Sequence, residues 1–294
     1  MKAIVRGNVI DGTGAPVAVD STVLVDGERI LEVGPRAAVA VPPDAEVIDA
    51  TGMTVMPGLI DCHDHLMSEN YDLLSRWGLD DPASLRFLRT ANVLEDTLAS
   101  GYTSVRDGGG LDAGFKMAVE DGVISGPRLM LSVNIISPTG GLADRVSPSG
   151  HRNLLYADPR MPSGVANGPD AVRGLVREMV RAGADVIKFA TTGGASSRPG
   201  HGPRDASFEE DEVEALVTQA ASMGRKTMCH ALAGPGLRMA IEANVLTDWV
   251  KANGMGGIDA DRMAKAIEQT KSVYEFVNAP DAAAYFTSDY LPTD

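Results

Sequence analysis

The residues of this chain with chemical potential fall in three places. His63 and His65 flank Asp64 at the end of an apolar run that begins after Pro57-Gly58. Residues two apart on a β-strand point to the same face, so the two imidazoles aim side by side and Asp64 turns away. Imidazoles converging from one strand end can begin a metal site; the plainer reading is a polar pair at a strand mouth. Lys188 stands in Val186-Ile-Lys-Phe-Ala-Thr, where apolar neighbours make a cation costly to bury. Its stem can lie along the strand while the ammonium reaches water. Alternatively, a desolvated amine of lowered pKa reacts with carbon dioxide, and the resulting carbamate can bridge two metal ions. His230 ends the short run Lys226–His230.

The elements that must hold these groups are legible from pattern. Residues 1–54 read as a small β module of short strands, with a hairpin signal at Asp26-Gly27. From residue 55 strands alternate with helical stretches. Strands are expected at Val55–His65, Thr103–Asp107, Arg128–Val133, Asp185–Ala190 and Lys226–His230. Helices are expected at Leu85–Ser100, Leu111–Asp121, Pro169–Ala182 and Phe208–Met223, the last with acidic residues in its first turn. Such repeats imply parallel strands with right-handed crossovers, in a doubly wound sheet or a β/α barrel. No Gly-x-Gly-x-x-Gly follows the first strand, which disfavours a dinucleotide fold. His63, His65, Lys188 and His230 all fall at or near strand C-termini, where β/α barrels build their active sites.

Composition narrows the partners. With 294 residues and 44% hydrophobic content, the chain can bury a large core. A net charge of −14 argues against nucleic acid or an anionic membrane as partner. The two cysteines, Cys62 and Cys229, each precede a histidine and read as buried structural thiols. The N-terminal residues lack the apolar core of a secretion signal, and no run reaches membrane-spanning length, so a cytoplasmic protein is expected.

Several stretches together resemble the amidohydrolase superfamily, in particular its imidazolonepropionase-like and prolidase-like members. They are Val55-Met-Pro-Gly-Leu-Ile-Asp-Cys-His-Asp-His65, Gly101-Tyr-Thr-Ser-Val-Arg-Asp107, Ala182-Gly-Ala-Asp-Val-Ile-Lys188, Thr192-Gly-Gly194 and His230-Ala-Leu-Ala-Gly234. The resemblance covers residues 1–244 and implies a metal-dependent (β/α)8 TIM-type barrel behind an N-terminal β-sandwich module. It implies hydrolysis of C–N bonds in dipeptide-like or cyclic amide substrates. Carried over by position, His63 and His65 bind the more buried metal, His230 binds the second, and carboxylated Lys188 bridges them. One or two zinc ions suit imidazole ligands and open coordination.

The chain also departs from that family. No histidine follows His230, where relatives carry one in a Glu-His-Gly context. No residue aligns with the aspartate that ends the eighth strand and deprotonates the attacking water. Leu142 stands where relatives often carry histidine. At roughly 30 residues per unit, the segment after Asn244 is too short for three more units. The expectation is therefore an incomplete barrel of about five βα units at 55–244, a site impaired in catalysis, and open sheet edges that favour a homo-oligomer. Residues 245–294 read as a helical tail, with helices at Val245–Asn253 and Asp259–Phe276. The tail is similar to the C-terminal end of ABC-transporter solute-binding proteins, so a fusion is one expectation. The rival functions are a catalytically inactive truncated or fusion product, or a solute-binding role from the tail. Thr191-Thr-Gly-Gly-Ala-Ser-Ser197 reads as a barrel loop, since it lacks the Gly-Lys-Ser/Thr of a phosphate cradle. His151 and His201 read as solvent-exposed loop residues.

Overall fold

Pro57-Gly58 marks the passage between two compact units; of the described residues, Met1–Pro57 lie in one and Gly58–Asn244 in the other. The computed structural model describes residues 1–67, 82–144, 146, 149, 161–194 and 201–244. His151, residues 195–200 and the expected tail helices lie outside them.

In the first unit the strands are β1 (Lys2–Val9), β2 (Ala18–Asp26), β3 (Arg29–Pro35), β4 (Glu46–Asp49) and β5 (Thr54–Val55). They form one mixed sheet in the order β3-β2-β1-β4, with β5 beside β1. A sandwich was implied by the resemblance; among the described residues there is a single sheet. The Asp26-Gly27 hairpin is present, with Asp26 paired to Arg29 and Gly27 at φ 55°, a conformation glycine tolerates. Ala3, Leu24 and Val39 make a small core. The strand expected at Val55–His65 is two strands, because Pro57 cannot donate to a ladder. β5 pairs with β1, and β6 (Leu59–Asp64) belongs to the second unit.

From β6 the second unit continues as α1 (Ala83–Ala99), β7 (Tyr102–Asp107), α2 (Ala113–Glu120), β8 (Arg128–Leu131), β9 (Ile135–Ile136) and α3 (Pro169–Arg181). It then runs through β10 (Val186–Ala190), α4 (Glu210–Ser222), β11 (Lys226–His230) and α5 (Gly234–Asn244). All ladders here are parallel, in the orders β6-β7-β8 and β9-β10-β11. Parallel strands alternating with helices make this an α/β fold.

The expected strand Arg128–Val133 ends early, at Leu131, and a short strand follows that was not expected. β8 pairs with β7, β9 pairs with β10, and Ser132–Asn134 turns between them. Val133 sits at φ 68°, which costs a β-branched residue on the order of 1–3 kcal/mol. Gly110 N–H holds the turn from outside, donating to the Val133 carbonyl at 3.0 Å, and within it Ile135 N–H donates to Asn134 Oδ1 at 2.8 Å.

Helix positions follow the sequence closely. α3 has Pro169 in its first turn, where the missing N–H costs nothing. Its Val172, Leu175, Val176 and Met179 recur at helical spacing and are buried. They join Ile187, Phe189, Val213 and Leu216 in the larger core; Leu94, Val105, Leu111, Leu129 and Leu131 form the core of the other sheet. α4 begins later than the pattern suggests, at Glu210, because Glu209 and Glu212 form a reciprocal capping box. Glu212 also accepts from Gly168 N–H at 2.6 Å, tying the start of α3 to that of α4.

Candidate metal centre

Side-chain alternation decides what faces what. Ile187 and Phe189 enter the core beneath the helices, so Lys188 points from the opposite face of β10. Register pairs Lys188 with Ile135 and Met228, and Ala190 with His230. On β6 and β7, Asp64 pairs with Asp107. The strand C-termini therefore carry His63, His65, Asp107, Lys188 and His230.

Three of these groups are joined directly. Lys188 Nζ lies 3.3 Å from His63 Nε2, and the His63 and His65 rings meet edge to face with centroids 5.3 Å apart. His65 Nδ1 lies 3.0 Å from the Gly109 carbonyl. A carbonyl only accepts, so Nδ1 carries the proton and Nε2 keeps its lone pair. His230 is near enough for the charge of Lys188 to act on it, but its Nε2 donates to the Gly193 carbonyl at 3.2 Å. The Thr191–Gly194 segment thus serves as a loop that holds an imidazole. Leu142 packs with Ile135, Ala143 and Ala190, which makes an apolar surface at the position where the resemblance implied a histidine.

Electrostatics here favour neutral forms. Lys188 is 1% exposed, and burial brings its amine down to about 8, helped by Arg106. Among the described residues its hydrogen-bond partner is His63, and no carboxylate pairs with it. Burial, then the charge of Lys188, lowers His63 to about 4. The outer side of that ring is open to water, which screens part of the repulsion. His230 is lowered mainly by burial.

Two expectations fail on geometry. Cys62 is exposed, because it points away from His63 on a strand with one sheet neighbour among the described residues; Cys229 is half-buried, with its Sγ 3.5 Å from Thr191 Oγ1. His201 is half-buried and its Nε2 lies 2.9 Å from Ser207 Oγ, so it latches its own loop. Sequence reasoning gave no role to Asp107 or the three glycines after it. The run Asp107-Gly-Gly-Gly110 directly after a strand was the available signal.

A divalent cation can be tested against these donors. Among the described residues no group of three His, Cys, Asp or Glu side chains is placed to hold one. The donors are neutral imidazoles and one buried amine. As an ammonium Lys188 would repel a cation; as a carbamate it supplies the missing anionic oxygens. The set fits a metal in that second form.

Comparison with known proteins gives the family. Residues 54–269 match the amidohydrolase family. Ochratoxinase of Aspergillus niger is 31% identical over 256 residues, 82% of this chain and 52% of its own length. A solved prolidase complexed with N-methylphosphonate-L-proline is 35% identical, with a TM-score of 0.72 over 82% of this chain and 59% of that one. A Xaa-Pro dipeptidase with methionine in its active site is 26% identical, with a TM-score of 0.72 over 96% of this chain and 73% of that one. The chain spans about half the length of the curated relatives it matches first. The family match runs past Asn244 to residue 269, and the resemblance of the tail to solute-binding proteins finds no support. Among the described residues no helix is long and apolar enough to cross a membrane. The chain belongs to the amidohydrolase family.

Proposed function

We propose that this chain carries the metal-binding half-site of a hydrolase that cleaves C–N bonds in small dipeptide-like or cyclic amides. The observation that supports it most is Lys188: buried, without a carboxylate partner among the described residues, and 3.3 Å from His63 Nε2. A purely structural role leaves the cost of that burial unanswered. Carboxylation answers it, by turning a misplaced cation into a ligand.

In this reading His63 and His65 hold one divalent ion, zinc by donor chemistry, and carboxylated Lys188 shares it with a second held by His230. When bound, such an ion polarises a carbonyl and makes hydroxide available near neutral pH. The chain's own residues keep the donors ready. His65 presents Nε2 because Gly109 takes its other proton. His63 stays neutral because burial and Lys188 disfavour its cation. His230 must leave the Gly193 carbonyl to offer Nε2. Leu142 contributes an apolar wall for the substrate.

Catalysis by the chain as it stands is weak in this reading. No histidine follows His230, and no residue aligns with the family's proton-abstracting aspartate. General-base help is worth roughly 10²–10⁴-fold. The likeness to a prolidase supports a small, dipeptide-like amide as the substrate in this reading.

The test is metal content. Protein purified without chelator is expected to hold stoichiometric zinc or another divalent metal. Lys188→Ala and His63→Ala each lose most of it, and ¹³C-bicarbonate gives a carbamate resonance that Lys188→Ala lacks. Wild-type protein that binds no transition metal under any loading sinks the proposal.

A further inference from the structure

The turn after β7 touches both histidines of the pair. The Asp107 carboxylate is fully buried and accepts three backbone N–H bonds: Leu66 to Oδ2 at 3.0 Å, Gly109 to Oδ1 at 2.9 Å and Leu111 to Oδ1 at 3.4 Å. Leu66 directly follows His65, so one oxygen grips the chain at the histidine and the other grips the turn. Gly109, held by its N–H, turns its carbonyl to His65 Nδ1 at 3.0 Å. Gly109 and Gly110 lie at φ 131° and 127°, which side chains rarely allow. Gly108 N–H is anchored to the Asp64 carbonyl at 2.6 Å. A Cβ on Gly108 would stand 3.0 Å from both His63 Cδ2 and His65 Cε1, so this glycine lies flat against the two rings.

We infer that Asp107, Gly108 and Gly109 form a bracket that sets the tautomer of His65 and the angle of both imidazoles, with Asp107 as a positioning residue for the pair. The inference rests on the metal-site reading for its purpose, not for its geometry. The bracket acts by fixing atoms before any ligand arrives. Outer partners that orient an imidazole change metal affinity by about 10–100-fold when removed.

Two substitutions separate positioning from mere folding. Asp107→Asn has one acceptor oxygen where the bracket needs two, so it frees either Leu66 or Gly109. Gly108→Ala keeps every bond of the carboxylate. Gly108 lies outside the left-handed region, so alanine strains only the contact with the rings. The first readout is the His65 tautomer in metal-free protein, from ¹⁵N imidazole correlation spectra. The second is cobalt(II) affinity and its visible spectrum, with Tm beside both.

Wild type should show His65 protonated at Nδ1. Asp107→Asn should mix tautomers, and Gly108→Ala should weaken cobalt binding about 10–100-fold and alter its spectrum at near-native Tm. If Asp107→Asn does not fold, Gly108→Ala decides. A wild-type His65 protonated at Nε2, or folded variants that match wild type in both readouts, overturn the bracket. Absence of cobalt binding by wild type overturns the metal reading, while the tautomer comparison still decides the bracket.

Discussion

Lys188 carries its charge where few lysines do. Among the described residues it has one hydrogen-bond partner and no counter-ion. Without metal or carbon dioxide, the folded protein therefore bears a penalty that an apolar side chain would not. Lys188→Met should stabilise the metal-free protein at pH 7 by on the order of 2 kcal/mol, read by urea unfolding. The pH dependence has a definite sign. The amine titrates at about 8 when folded, against 10.5 for an ordinary lysine. Between those values the unfolded chain holds more protons, so wild-type stability rises with pH. The advantage of the variant is full below about 8 and fades toward 10.5. A gap that stays constant over that window would contradict burial as its cause.

At the scale of elements, Glu212 links two helix starts that lie far apart in sequence. Its Oε1 accepts from Gly168 at 2.6 Å and its Oε2 from Glu209 at 2.9 Å. Helix starts leave N–H groups unpaired, and here one buried carboxylate serves both α3 and α4. Glu212→Ala should cost about 2 kcal/mol by chemical denaturation, since two donors lose their acceptor. Glu210, exposed one turn-position away, should cost far less as alanine. Equal losses would show that first-turn charge, rather than the paired hydrogen bonds, matters here. These two helices pack against β10, so Lys188 is held by this joint as well as by its strand neighbours.

At the scale of the molecule, the described residues give the first unit one sheet with a small core and the second unit two parallel sheets, each with its own core. In the second unit, β6 and β11 each have one strand neighbour among the described residues. Ile60 on β6 is 68% exposed. An apolar residue on an open strand edge invites pairing with another chain. The chain is expected to self-associate in sedimentation velocity as concentration rises, and Ile60→Lys should reduce that association. A monomer over the whole range, or a variant that associates as wild type does, would remove this edge from consideration.

Much of the arrangement can be read from residues alone, for local physical reasons. The strand starts and ends around His63, Lys188 and His230 follow from apolar runs bounded by glycine and proline. α3 follows from its spacing of Val172, Leu175, Val176 and Met179, and the Asp26-Gly27 hairpin from turn chemistry. What depended on neighbours was not legible. Pro57 splits one expected strand because its two halves pair with different sheets. Another ends early at Leu131, because Gly110 holds the Val133 carbonyl and the chain turns there in a conformation that the Val133 side chain disfavours. The exposure of Cys62 and the latch of His201 are likewise set by what lies beside them. His63-Asp64-His65 was visible from the start as a pair that could bind metal. That its imidazoles are gripped by Asp107, Gly108 and Gly109, and that Lys188 reaches His63 rather than water, only the tertiary structure decided. Those contacts join residues more than forty positions apart, and no local pattern encodes them.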